Sequence, residues 1–121
     1  MRLLCADDEP DIRTILELAL GLEPSIQADV LASGTELLAR VKEIKPDAIL
    51  LDAMMPDLDG YETCRRLKAD PETAAIPVVF LTARAQRGEQ DTAIEVGAVA
   101  CLTKPFDPLT LAGELLVTLG R

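Results

Sequence analysis

The stretch Ala48-Ile49-Leu50-Leu51-Asp52 is a short apolar run that ends in a carboxylate. A run this short is unlike a helix, and its nearly continuous hydrophobicity is typical of a strand covered on both faces of a parallel sheet. Three further runs have the same character: Leu3-Leu4-Cys5-Ala6, Val78-Val79-Phe80-Leu81 and Val99-Ala100-Cys101-Leu102. A weaker, more alternating segment, Ala28-Asp29-Val30-Leu31-Ala32, is typical of an edge strand.

Helical patterns separate these runs, with apolar residues recurring at three- and four-residue intervals. They cover Ile12 to Leu20, Gly34 to Glu43, the residues after Gly60, and Gln86 to Val96. A final helix is predicted to begin at Pro108, with Asp107 as its N-cap, and to bury Leu109. Strands and helices that alternate in this way predict an α/β fold with a parallel sheet and helices on both faces. The length of 121 residues suits one domain.

The composition excludes several classes of function. The formal net charge is −9, and a surface this acidic argues against direct binding of nucleic acid. The chain contains no histidine, which removes Ser-His-Asp and Cys-His catalysis and histidine-ligated metals. We see no signal peptide and no apolar run of the ~20 residues that span a membrane. We therefore expect a cytoplasmic protein that does not enter the membrane.

The three cysteines are Cys5, Cys64 and Cys101, which lie far apart in or beside apolar segments. Because no CxxC pair is present, a structural zinc site is not expected. We interpret the cysteines as buried thiols in a reducing compartment.

Polar residues directly follow most of the predicted strands. They are Asp7, Asp8 and Glu9 after the first strand, Asp52 after the third, Thr82 after the fourth, and Lys104 after the fifth. In open α/β sheets, ligands bind outside the carboxyl ends of the strands. We therefore expect Asp7, Asp8, Asp52, Thr82 and Lys104 to converge at one end of the sheet.

The predicted carboxylate cluster calls for a positive charge. At an effective dielectric constant near 20, two carboxylates 4 Å apart repel by roughly 4 kcal/mol. Oxygen ligands of this kind suit Mg²⁺ or Mn²⁺, and the ammonium of Lys104 can pair with a phosphate. A carboxylate nucleophile, a cation, an ammonium and the hydroxyl of Thr82 are the groups that phosphoryl transfer requires.

The whole chain resembles the receiver domain of bacterial response regulators in two-component signalling. The resemblance rests on five segments: Cys5-Ala6-Asp7-Asp8-Glu9-Pro10, Leu51-Asp52-Ala53-Met54-Met55-Pro56-Asp57-Leu58-Asp59-Gly60, Leu81-Thr82-Ala83, Gly97-Ala98 and Lys104-Pro105-Phe106. It implies a flavodoxin-like doubly wound (βα)5 fold, with a five-stranded parallel sheet in the order 2-1-3-4-5. It also implies that residues 1–121 form one receiver domain.

The resemblance further implies a role for each site residue. Asp52 matches the phosphoacceptor and, with Asp8, a direct ligand of Mg²⁺, whereas Asp7 matches a ligand that acts mainly through water. Met54 would supply a backbone carbonyl to the metal. Lys104 would pair with Asp52 and then with the phosphoryl group, and Thr82 would move toward the phosphoryl oxygen. The bond between Lys104 and the following proline is expected to be cis.

One position departs from the family pattern. Members usually carry Tyr or Phe three residues before the lysine, and this chain has Cys101 there. A cysteine cannot reproduce the movement of an aromatic ring, so we expect phosphorylation to survive while its coupling to output is altered. Met54 and Arg84 occupy the positions that tune phosphoryl lifetime in the family, and their length predicts partial shielding of the phosphoryl group from water.

The implied partners are a histidine kinase or phosphotransfer protein as donor, and a downstream target that the sequence does not name. The chain would be no enzyme beyond its own phosphorylation and dephosphorylation, and would be a monomer or a homodimer favoured by phosphorylation. Two alternatives stay open. A degenerate receiver would act mainly as a dimerisation module, and a small phosphohydrolase would use Asp52 as a transient nucleophile. The latter is disfavoured because Met54 stands where related phosphatases carry a second acid.

Overall fold

The computed structural model describes residues 1–56, 58–83 and 87–121. The strands are β1 (Arg2–Ala6), β2 (Gln27–Leu31), β3 (Ala48–Asp52), β4 (Val78–Thr82) and β5 (Ala100–Thr103). The helices are α1 (Pro10–Gly21), α2 (Gly34–Ile44), α3 (Gly60–Ala69), α4 (Arg87–Glu95) and α5 (Leu111–Thr118). The strands pair in parallel in the order β2-β1-β3-β4-β5, which confirms the predicted doubly wound fold. Asp57, Arg84 and the predicted helix start at Gln86 lie outside the described residues.

The sheet separates two apolar cores, which explains why its central strands read as continuous hydrophobic runs. Alternate residues of each strand point to opposite faces of the sheet. Thus Ile49 and Leu51 of β3 pack in one core with α2 and α3, whereas Leu50 packs in the other core with α1 and α5. All five residues of β3 and of β4 are buried, as a strand covered on both faces requires.

Side-chain caps fix the starts of two helices near the carboxyl edge of the sheet. The Ser33 hydroxyl accepts a hydrogen bond from the backbone N–H of Glu36 at 3.0 Å, which caps α2. The Asp59 carboxylate accepts one from the backbone N–H of Glu62 at 2.8 Å, which caps α3. No helix within the described ranges is long and apolar enough to cross a membrane.

The predicted start of the last helix at Pro108 is wrong, because α5 begins at Leu111. The Asp107 carboxylate accepts a hydrogen bond from the N–H of Leu109 at 2.9 Å and holds residues 108–110 in a turn before the helix. Leu109 is consequently 81% exposed rather than buried. Asp107 therefore forms the predicted kind of local bond, but in a turn and not as the helix cap.

The prediction that the last apolar run is covered on both faces holds only in part, because Cys101 packs against one core and Ala100 and Leu102 pack against the other without full burial. The strand begins at Ala100, and Val99 precedes it with 55% of its surface exposed. Three of the residues in β5 are only half-buried, and the last is exposed. The reason is position, since β5 lies at an edge of the sheet and has a neighbouring strand on one side only.

Candidate functional site

The carboxyl edge of the sheet brings the predicted site residues together. Asp7 follows β1, Asp52 ends β3, Thr82 ends β4, and Lys104 follows β5. The Asp7, Asp52 and Thr82 side chains are buried, at 0%, 5% and 1% exposure. Burying such polar and ionisable side chains costs free energy unless they form hydrogen bonds or ion pairs with one another or with a ligand.

Asp7, Asp8 and Asp52 form the carboxylate cluster that the sequence predicts. Each offers one oxygen atom, and these atoms all lie within 4.8 Å of one another. Asp7 and Asp52 are buried and Asp8 is half-buried, so the cluster opens toward solvent on the Asp8 side. Hard oxygen ligands in this arrangement fit a divalent cation such as Mg²⁺, which keeps several waters beside one or two carboxylates.

Lys104 places its ammonium between two of these carboxylates. Its Nζ lies 2.8 Å from Oδ2 of Asp7 and 3.4 Å from Oδ2 of Asp52. The predicted pair with Asp52 is therefore present, and the contact with Asp7 is the shorter one. Burial by itself lowers the pKa of Lys104, but the hydrogen bond to Asp7 and the charge of Asp52 outweigh burial, and the pKa lies above its usual value. The lysine stays charged at neutral pH.

The same environment disfavours the charged form of Asp52. Burial and the neighbouring charge of Asp7 raise the pKa of Asp52 to about 6, against the opposing effects of Lys104 and of a backbone hydrogen bond from Met54. One ammonium is thus insufficient to offset the charge of two buried carboxylates. A bound cation would supply the missing positive charge.

The segment after β3 holds Asp52 from its other side. The backbone N–H of Met54 donates to Oδ1 of Asp52 at 3.2 Å, so the main chain of Met54 lies beside the carboxylate while its side chain is 60% exposed. Gly60 begins α3 in close contact with the end of β3. A Cβ at this position would lie 2.2 Å from the Asp52 carbonyl oxygen and 2.9 Å from Cα of Ala53. A residue without a side chain is needed for this close approach.

The fifth strand joins the site through its backbone. The N–H of Lys104 donates to the carbonyl of Thr82 at 2.7 Å, and the Lys104–Pro105 peptide bond is cis, as predicted. Cys101 lies opposite Phe80 in the sheet register and is half-buried against the core on the α3 side. The ring centroid of Phe80 on β4 lies 5.0 Å from that of Tyr61 on α3.

Sequence reasoning missed one residue beside the site. The guanidinium Nη1 of Arg13 donates to the backbone carbonyl of Asp7 at 2.9 Å. Arg13 is the only basic residue of α1, and its place one turn into the helix after the acidic pair was the signal that could have found it.

This fold and this edge of acidic residues agree with the comparison to known proteins. The sequence model of the response regulator receiver domain matches residues 3–115. The chain belongs to the response regulator receiver domain family. Response regulator Rre1 of Synechocystis sp. is 37% identical over 119 residues, which cover 98% of this chain and 52% of Rre1. The chain therefore spans about half the length of that relative.

Solved receiver structures share the whole architecture. The chemotaxis protein CheY4 of Vibrio cholerae superposes with a TM-score of 0.89 at 27% identity, and the match covers 97% of each chain. The receiver domain of the sensor histidine kinase PA1611 of Pseudomonas aeruginosa gives a TM-score of 0.86 at 28% identity, over 99% of this chain and 98% of the other. That domain was crystallised with a magnesium ion in its active-site cleft.

Proposed function

We propose that residues 1–121 form one receiver domain that accepts a phosphoryl group on Asp52 and thereby switches a protein-interaction surface. The observation that carries the proposal is the cluster of three carboxylates within 4.8 Å beside the Lys104 ammonium. The chain belongs to the receiver domain family. The carboxylates and the ammonium are groups that phosphoryl transfer to an aspartate would use.

We assign the metal site to the carboxylates of Asp7, Asp8 and Asp52 and to the backbone carbonyl of Met54. The carboxylates fit the requirement of Mg²⁺ for oxygen ligands, and Mn²⁺ suits the same set. The magnesium in the PA1611 receiver supports this assignment by analogy. Mg²⁺ would neutralise charge on the phosphoryl oxygens, which is the main need of this reaction.

Asp52 performs the covalent step. One of its carboxylate oxygens attacks the phosphorus of a phosphohistidine on the donor, a P–O bond forms, and the P–N bond breaks. The imidazole nitrogen keeps the electron pair of that bond and takes up a proton. Lys104, whose Nζ lies 3.4 Å from Oδ2 of Asp52, would pair with the incoming phosphoryl oxygens, and the Thr82 hydroxyl would donate a hydrogen bond to them.

Reversal of the switch needs only water. Water attacks the phosphorus, the P–O bond to Asp52 breaks, and inorganic phosphate leaves while the Asp52 carboxylate is restored. The donor is a histidine kinase or phosphotransfer protein, and the readout is a population shift in the surfaces near β4 and β5. The chain is then a monomer or a homodimer that phosphorylation favours.

A phosphohydrolase is the weaker alternative. The Met54 side chain, two residues after Asp52, is apolar and 60% exposed, so it supplies no proton to a leaving alkoxide. Turnover on phosphate esters needs such a general acid, whereas transfer from phosphohistidine has a better leaving group. A module used only for dimerisation would not need the carboxylate cluster at all.

Intact-mass measurement after incubation with Mg²⁺ and a small acyl phosphate tests the proposal. We expect one phosphoryl adduct in the wild type, none in Asp52→Asn, and an unchanged yield in the control Asp91→Asn, which removes an exposed carboxylate on α4. Chelation of the cation should abolish the adduct.

Two outcomes would contradict the proposal. A folded wild type that binds Mg²⁺ and takes up no phosphoryl group from acyl phosphates or phosphoramidates would leave only the dimerisation role. Steady release of phosphate from simple esters, lost in Asp52→Asn, would favour the phosphohydrolase.

A further inference from the structure

Asp7 is held by hydrogen bonds at four of its atoms. Its N–H donates to the carbonyl of Leu31 at 3.1 Å, and its Oδ1 accepts from the N–H of Glu9 at 3.0 Å. Its Oδ2 accepts from Lys104 at 2.8 Å, and its carbonyl accepts from Arg13 at 2.9 Å. Leu31, Glu9 and Lys104 lie at or just after the ends of strands. Arg13 is the one partner of the four that lies within helix α1.

The contact with Arg13 fixes the peptide group that joins Asp7 to Asp8. A change in the backbone dihedrals beside this peptide, ψ of Asp7 or φ of Asp8, would move the two carboxylates relative to each other. The N-cap residue Glu9 makes no side-chain capping bond, so the Arg13 contact adds to the restraint that the Glu9 N–H already places on Oδ1 of Asp7. Arg13 itself is half-buried, so its guanidinium is partly shielded from competing water.

We propose that Arg13 is a positioning residue that sets the geometry, and hence the cation affinity, of the carboxylate cluster. The inference rests on the proposed function, since it concerns the same metal site. Arg13 acts through the Asp7 carbonyl and is not itself a ligand. Outer residues that orient metal ligands typically change metal affinity about 10- to 100-fold when they are replaced.

The charge of Arg13 and its positioning role predict opposite results, which makes the inference testable. A guanidinium near a cation site repels the cation, so loss of charge alone would tighten binding. Loss of the bond to the Asp7 carbonyl frees the peptide plane and would weaken binding. The sign of the change in the dissociation constant therefore separates the two effects.

The experiment is a titration with Mn²⁺ followed by electron paramagnetic resonance, with Mg²⁺ calorimetry as a second measurement. In Arg13→Met we expect the dissociation constant to rise about 10-fold. Arg13→Lys, which keeps one donor and the charge, should recover most of the affinity. Arg65→Met is the control, because Arg65 is exposed and pairs with Glu62 on the surface of α3.

Each result decides the question. Unchanged or tighter binding by folded Arg13→Met overturns the positioning role, whereas binding of neither metal by the wild type overturns the proposed function as well. Circular dichroism and urea unfolding establish that each variant is folded. If Arg13→Met does not fold, Arg13→Gln, which is neutral and shorter, takes its place with the same expected rise.

Discussion

The ammonium of Lys104 lies closer to Asp7 than to Asp52, at 2.8 Å against 3.4 Å. Asp7 is fully buried, and its Oδ1 is already bonded to the N–H of Glu9, so Oδ2 depends on Lys104 for its compensation. Without a cation, this lysine is the main described positive charge within the cluster. Lys104 therefore stabilises the buried carboxylates, in addition to the proposed pairing with the phosphoryl group.

We predict that Lys104→Met destabilises the metal-free protein by about 3 kcal/mol at neutral pH, because it leaves buried carboxylates without their partner. Saturating Mg²⁺ should restore part of that stability, since the cation binds only the folded cluster. Urea unfolding with and without Mg²⁺ measures both effects. Lys42→Met is the control, because Lys42 pairs with Asp70 on an exposed surface and should change stability little. Equal losses in the two variants would contradict the prediction.

Asp52→Asn should stabilise the metal-free protein. The folded-state pKa of Asp52 is raised to about 6, above the value of about 3.9 for an unfolded aspartic acid. The contribution of Asp52 to the free energy of unfolding is thus most favourable below pH 4, and it is lost as the pH rises from about 4 to about 6. At pH 7.5 the variant should be more stable than the wild type by about 1–2 kcal/mol, once solvent screening is allowed for.

The measurement for Asp52→Asn is urea unfolding from pH 4 to pH 8 in a chelating buffer. The difference in unfolding free energy between variant and wild type should vanish near pH 4 and grow as the pH rises from about 4 to about 6. Added Mg²⁺ should reverse its sign, because the cation stabilises the wild type more. Asp91→Asn should show no such pH-dependent difference, and a variant no more stable than the wild type at pH 7.5 would contradict the pKa argument.

Gly60→Ala should distort the site from behind. The added Cβ would meet the Asp52 carbonyl at 2.2 Å, and main-chain atoms cannot move aside as a flexible side chain would. We expect a loss of about 2–3 kcal/mol in unfolding free energy and slower phosphorylation by acyl phosphate. Gly113→Ala is the matched control, because its Cβ would meet nothing within 4 Å and alanine favours a helix. Equal stability of the two variants would show that β3 and α3 separate easily.

The convergence of the site was predictable because strand ends set the positions of the main chain. Parallel strands have their carboxyl ends at one edge, so an acidic pair after the first strand and Asp52 after the third must become neighbours once the strand order is known. The order itself came from the family resemblance. Runs covered on both faces were recognisable for β3 and β4 because their composition shows burial directly.

The side-chain partners were not predictable, because they depend on distances of a few tenths of an ångström. The N–H of Glu9 donates to Oδ1 of Asp7, so Lys104 bonds to the other oxygen, Oδ2. No pattern in the sequence encodes that choice. Asp107 was misplaced for a related reason, since an aspartate before a proline can equally cap a helix or close a turn.

Cys101 should be the one cysteine that reacts in the native protein. Cys5 and Cys64 are fully buried, and burial raises the pKa of both thiols, so neither forms the reactive thiolate readily. Cys101 is half-buried at the edge strand β5 and lines the groove between α4 and α5. We expect an aromatic disulfide reagent to modify one thiol in the native state and three in denaturant. Cys101→Ser should abolish the native reaction, and native labelling of Cys5 or Cys64 at a comparable rate would contradict the burial of those residues.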